Sequence, residues 1–132
     1  LSAQLAVAVA IKDLERSERI LERWALAEKK TGLTQTCNLR LGRSQYAQAK
    51  GDPQSAASEL TAILDGACRP ASDHAFLLAT VSVRLAGIRV GEGRTKQAWK
   101  LLEGIEQAWS GADAELPLLI EARRMLALTR RD

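Results

Sequence analysis

Few side chains in this sequence are placed to do chemistry. His74 is the only histidine, and it directly follows Asp73. An aspartate beside an imidazole can orient a general base. The same stretch, Ser72-Asp73-His74, also opens a helical pattern, where Ser72 or Asp73 serves as the N-cap and His74 is solvated. The capping reading is the simpler one. No glycine-rich phosphate loop and no nucleophile elbow occurs. The sequence therefore predicts no catalytic residue, no cofactor-binding residue and no metal site, and the chain reads as a non-enzyme. Cys37 and Cys68 are too few for a metal and lack the spacing of a redox pair. Gly51 lies 14 residues after Cys37 and 17 before Cys68. In an antiparallel hairpin both cysteines would meet near the open end, where a disulfide can form. Two reduced thiols of a cytoplasmic protein is the preferred expectation, because no secretion signal accompanies them.

Aromatic and basic side chains raise the question of ligand or nucleic-acid contact. Trp24 falls at a core position of the repeat described below, and Trp109 closes its helix. Trp99 follows a small residue and points to a different face, which makes it the candidate exposed contact. Arg123, Arg124, Arg130 and Arg131 form the nearest thing to a basic patch. The chain as a whole has 19 basic and 16 acidic residues, a formal net charge of +3. Charge that is balanced and mixed argues against nucleic-acid binding by this stretch and makes a solvated helix face the simpler reading.

Three segments share one signature. Gly51-Asp52-Pro53 is followed by Ala56, Leu60 and Ile63, and Gly93-Arg94-Thr95 by Ala98, Leu102 and Ile105. Lys12-Asp13-Leu14 precedes Ser17, Leu21 and Trp24 at the same offsets. A small residue with large apolar ones four and seven positions later marks one face of a helix. Glycine ends the preceding helix in a left-handed conformation, Asp52 caps the next one, and Pro53 fits its first position. Ahead of these turns, Leu39, Gly42, Tyr46 and Ala49, and then Leu77, Val81, Leu85 and Ile88, keep the helical rhythm. Paired helices are predicted over 1–30, 33–66 and 72–109, with half a repeat at 113–132. The joints between them fall at Thr31-Gly32, Gly66 to Ser72 and Ser110 to Ala112. Residues 1–132 thus read as a single all-α domain of about three and a half repeats. The last helix carries a stripe of Leu119, Ala122, Leu126 and Thr129, expected to stay partly uncovered for want of a partner helix. A start at Leu1 rather than Met suggests a piece of a larger protein.

The pattern of Gly51, Ala56 and Leu60, then Leu85, Ala86, Gly93, Ala98 and Leu102, resembles the tetratricopeptide repeat. The spacing between small residues, 39 and then 42, exceeds the family's usual period of about 34. The family's first-helix tryptophan and tyrosine have no equivalents. Longer, degenerate repeats of this kind are similar to those in the effector domain of large LuxR-type bacterial transcriptional activators, where segments like Lys12 to Leu21 are common. Scaffold subunits of large eukaryotic assemblies have them too. The Ala- and Arg-rich composition favours the bacterial setting. The resemblance implies a right-handed superhelix of antiparallel helix pairs with a concave groove. Aligned to the turns, the groove would be lined by Ala6, Val9 and Ala10. Asn38, Leu41, Gln45 and Gln48 would follow in the second repeat, and Thr80, Val83, Gly87 and Val90 in the third. Only Asn38 and Arg84 suit the clamp with which some members hold a peptide's terminal carboxylate.

This lining is small, apolar and nearly uncharged. It fits an amphipathic helix, an extended peptide or another part of the same protein. The leading expectation is a non-catalytic protein-interaction scaffold. A small-molecule-sensing effector domain, with Gln45 and Gln48 bonding the ligand, is the alternative. Nucleic-acid contact through the last helix is the third. The apolar run Leu5 to Ile11 is too short to cross a bilayer. No membrane association is expected, and a cytoplasmic location (nuclear in a eukaryote) is.

Overall fold

A computed structural model describes residues 1–32, 36–69, 74–108 and 117–129. Among them the chain is all-helical, with seven helices and no strand. In order these are α1 (Ser2–Ala10), α2 (Leu14–Thr31), α3 (Cys37–Lys50), α4 (Pro53–Leu64), α5 (His74–Gly91), α6 (Thr95–Ala108) and α7 (Pro117–Thr129). They fall into two compact units, Leu1–His74 and Ala75–Asp132.

The recurrent signature has a recurrent geometry. After α3, Gly51 takes φ +85°, its N–H donates to the Gln48 carbonyl (3.1 Å), and the Asp52 N–H donates to the Ala47 carbonyl (2.9 Å). This is the paired bonding of a Schellman cap, which satisfies carbonyls a helix end would leave bare. After α5 it returns at Gly93, φ +77°, with the Arg94 N–H on the Arg89 carbonyl (2.8 Å). After α1 the same turn is made without glycine. Lys12 stands at φ +58°, and the Asp13 N–H reaches the Ala8 carbonyl (2.9 Å). The following helix is then capped by a side chain. The Asp13 carboxylate accepts from the Arg16 N–H (3.1 Å), and that of Asp52 from the Ser55 N–H (3.1 Å), with Pro53 opening α4.

Ser17, Ala56 and Ala98, the small residues of the signature, are fully buried. Leu60 and Ile63, and likewise Leu102 and Ile105, are buried beyond them, each worth roughly 1.5–3 kcal/mol of transfer free energy. Ser17 meets its polar requirement locally, its hydroxyl donating to the Asp13 carbonyl (2.7 Å). In the first unit, Leu5, Ala8 and Ile20 form a cluster with Val9, Leu21 and Trp24 packed on it. Gly42 permits the approach of α3 to this cluster. A Cβ there would stand 2.8 Å from Leu5 Cδ2 and 3.3 Å from the Trp24 ring.

In the second unit Val83 and Ala86 of α5 join Ala98, Leu102 and Ile105 of α6 and Leu119, Ala122, Met125 and Leu126 of α7 in one core. This corrects an expectation. The Leu119, Ala122, Leu126, Thr129 stripe is buried, because α7 turns it onto α5 and α6 of its own unit. The large apolar residues that α7 does expose are Ile120 and Leu128. Ser72, Asp73, Trp109, Arg130, Arg131 and the joint at Ser110 to Ala112 lie outside the described residues, as does any cap at the start of α5.

Candidate ligand cavity between the first three helices

Two helices of the first unit carry matching stripes. Trp24, Ala27, Glu28 and Thr31 follow one another on α2 at intervals that keep them on one face, and Asn38, Leu41, Gly42 and Gln45 do the same on α3. With Leu1, Ser2 and Ala6 of the α1 end, these stripes line a hollow of about 600 Å³. That volume is in the range of small-ligand sites. The walls are mixed: an indole, the aliphatic Leu41 and Ala6, two carboxamides and one carboxylate.

The rim is held by a polar and covalent clamp. Thr36 caps α3, its Oγ1 accepting from the Leu39 N–H (3.2 Å). The same hydroxyl donates to Glu28 Oε2, and the Thr36 N–H donates to Glu28 Oε1 (3.3 Å). The Cys37 N–H donates to the Arg69 carbonyl (3.0 Å). Beside it Cys37 and Cys68 form a disulfide, with Cα atoms 5.0 Å apart. The end of α2, the start of α3 and the chain after α4 are thereby tied together. The disulfide corrects the expectation of two reduced thiols. Its cause is the antiparallel α3–α4 hairpin itself, which turns at Gly51 and returns Cys68 to the start of α3.

The residues expected to line a groove are placed unevenly. Asn38, Leu41 and Gln45 converge with Ala6 on the hollow, while Gln48 is exposed beyond it and Val9 packs into the neighbouring cluster. In the second unit the expected lining does not gather. Val83 lies in the core, and Val90 packs against that core. The Thr80 hydroxyl is spent on the Phe76 carbonyl (3.0 Å), and Gly87 is exposed. Arg84 is partly covered, and burial holds its guanidinium below the ordinary arginine value. A separate hollow of about 440 Å³ in this unit is lined instead by residues such as Leu78, Ser82, Leu101 and Gly104. Trp99, expected as an exposed contact, is half-buried against the core. Within the basic stretch, Arg123 pairs with Glu106 (3.1 Å) and Arg124 with Glu121 (2.8 Å).

Trp24, Glu28 and Gly42 were not expected at a site. Their signal was present in Glu28, a charged residue one turn beyond Trp24 on the buried side of an amphipathic helix. A solvated carboxylate would stand on the other face.

Among the described residues no group of three or more His, Cys, Asp and Glu side chains could hold a metal ion, and no helix is long and apolar enough to cross a membrane. Compared with protein-family models, curated proteins and solved structures, the chain has no match in any of the three.

Proposed function

We propose that this chain is a non-catalytic binding module whose ligand seats in the hollow between α1, α2 and α3. The observation that carries this reading is the convergence of two helix stripes, Trp24 to Thr31 and Asn38 to Gln45, on one cavity held at its rim by a disulfide and a buried carboxylate. A pre-formed site of this kind spends little of its binding free energy on ordering. The recurrent turns at Lys12, Gly51 and Gly93 support a tetratricopeptide-like array, with the helix pairs as repeats of a right-handed superhelix. A peptide or another protein segment is the partner this reading favours.

The test is a random peptide library panned against the chain. Enriched peptides should lose roughly tenfold in affinity, about 1.4 kcal/mol, on Leu41→Asp, and nothing on Gln48→Asp outside the hollow. Peptides indifferent to Leu41→Asp would remove the cavity from the function. A second reading draws on the cavity's volume, which suits a metabolite as the effector of a LuxR-type regulator. It requires a thermal shift with a small molecule in the absence of any peptide. Nucleic-acid contact is not carried forward, since Arg123 and Arg124 are already engaged by carboxylates. A cytoplasmic setting belongs to the regulator reading. The disulfide favours an oxidising one, and a thiol count on protein taken directly from its native cell separates them.

A further inference from the structure

The hollow between α1, α2 and α3 contains a carboxylate that joins no ion pair among the described residues, and no Lys, Arg or His side chain is among the residues that line it; Leu1, at the chain start, does line it. Glu28 is only 9% exposed and lines the cavity. Ion pairs among the described residues join Arg40 to Glu59, Arg89 to Glu92, Arg123 to Glu106 and Arg124 to Glu121, and none includes Glu28. The sequence between Gly32 and Thr36 contains no basic residue. Burying a carboxylate is costly unless a cation or a full set of hydrogen bonds compensates it. A carboxylate has about four lone-pair positions, and the two Thr36 donors occupy two of them. Glu28 itself lines the open cavity. One helical turn earlier Trp24 lines the same space, and an indole attracts a cation held over its face. Asn38 and Gln45 add carboxamide oxygens that can accept from an ammonium group.

We propose that the cavity binds an organic ammonium group, with the charge on Glu28 and the attached alkyl chain along Trp24, Leu41 and Ala6. This rests on the reading of the cavity as the ligand site. The ammonium enters already protonated at neutral pH. No covalent bond changes on binding. The same unpaired carboxylate disfavours a phosphate or carboxylate ligand at this point through like-charge repulsion. The ammonium can come from a lysine side chain of a peptide or from a free alkylamine, and the shared chemistry is what Glu28 selects.

The experiment follows backbone and indole NMR signals of the intact, oxidised chain during titration with n-hexylammonium and, separately, with n-hexanol. Saturable shifts at Trp24, Glu28 and the α3 amides are expected with both probes, with hexylammonium binding at least tenfold more tightly. Glu28→Gln, which keeps an acceptor for Thr36, should abolish that preference. Equal affinity for the two probes in the wild-type chain overturns the ammonium proposal while leaving the cavity standing. This comparison needs no variant to fold. Failure of both probes to shift cavity residues overturns the site reading as well. A third titration compares an acetylated, amidated lysine-containing peptide with its norleucine twin. A lysine peptide that binds tighter than hexylammonium identifies a peptide side chain as the source, and weaker binding identifies a free amine.

Discussion

The Cys37–Cys68 disulfide ties the start of α3 to the chain after α4, and it can be removed without changing any other residue. Both cysteines lie in the Leu1–His74 unit, 31 residues apart in sequence. Cross-linking a loop of that length removes entropy from the unfolded chain worth about 3.7 kcal/mol at 25 °C on the loop-closure relation. For a unit of this size each kcal/mol moves the midpoint by roughly 4–8 °C, so the loss should be on the order of 15 °C or more in Tm. Two perturbations test it. One is reduction with a phosphine, and the other is the double substitution Cys37→Ala and Cys68→Ala. The expected results are close to each other, since a buried free cysteine packs much as a small apolar side chain does. Amide hydrogen exchange followed by NMR adds location. Protection should fall through α3 and α4 and be unchanged in α6 and α7, which form their core in the other unit. Two free thiols in the unreduced protein, or a midpoint that moves by no more than a degree or two on reduction, would refute the argument.

Lys12 holds a left-handed conformation at φ +58°, where the equivalent turns use Gly51 and Gly93. Lys12→Gly should stabilise the chain by about 0.5–1 kcal/mol, the steric gain of about 1–2 kcal/mol less the added freedom of the unfolded chain, read as a higher urea midpoint at constant slope. The same substitution should have opposite signs at two helical glycines. Gly87 has open space where a Cβ would stand, so Gly87→Ala should stabilise by about 0.5–1 kcal/mol. At Gly42 the Cβ meets Leu5, Trp24 and Leu21 within 3.4 Å, and Gly42→Ala should destabilise by about 1 kcal/mol net as overpacking outweighs propensity. Equal signs in paired urea melts would remove the close-approach explanation. The Asp52 carboxyl, bonded by the Ser55 hydroxyl and then the Ser55 N–H, titrates below its ordinary value. Its folded pKa is depressed, so its contribution to stability is present above the unfolded value of about 3.9 and is lost as pH falls through the folded one. Carboxyl-carbon NMR titration should show the lowered value, and Ser55→Ala should move it up.

The turns and faces are legible in the sequence because their causes are local. A glycine that ends a helix, the Asp52 cap, Pro53 behind it and the small residues Ser17, Ala56 and Ala98 each act within a few positions. Period alone then places the apolar partners on one side. The Asn38, Leu41, Gln45 face comes instead from aligning the turns to the repeat that the pattern resembles. Pairing between elements is not legible locally. Whether Cys68 returns to Cys37 depends on how the whole α3–α4 hairpin closes. Whether Val83 faces a groove or a core depends on the core that the helices of its unit build together. Trp99 likewise reads as a free aromatic until the core of its unit is assembled.

By itself the sequence determined that the chain is helical, where its helices turn, that Asp52 caps α4 and which face of each helix is apolar. All of these follow from dihedral preference and the 3.6-residue period. Only the tertiary structure decided that two cysteines are joined, that the last stripe is buried within its own unit, and that Glu28 stands buried beside a cavity without an ion pair among the described residues. These are consequences of distance between residues remote in sequence. No local propensity carries that information, because the free energy that sets it comes from the packing of whole helices against one another.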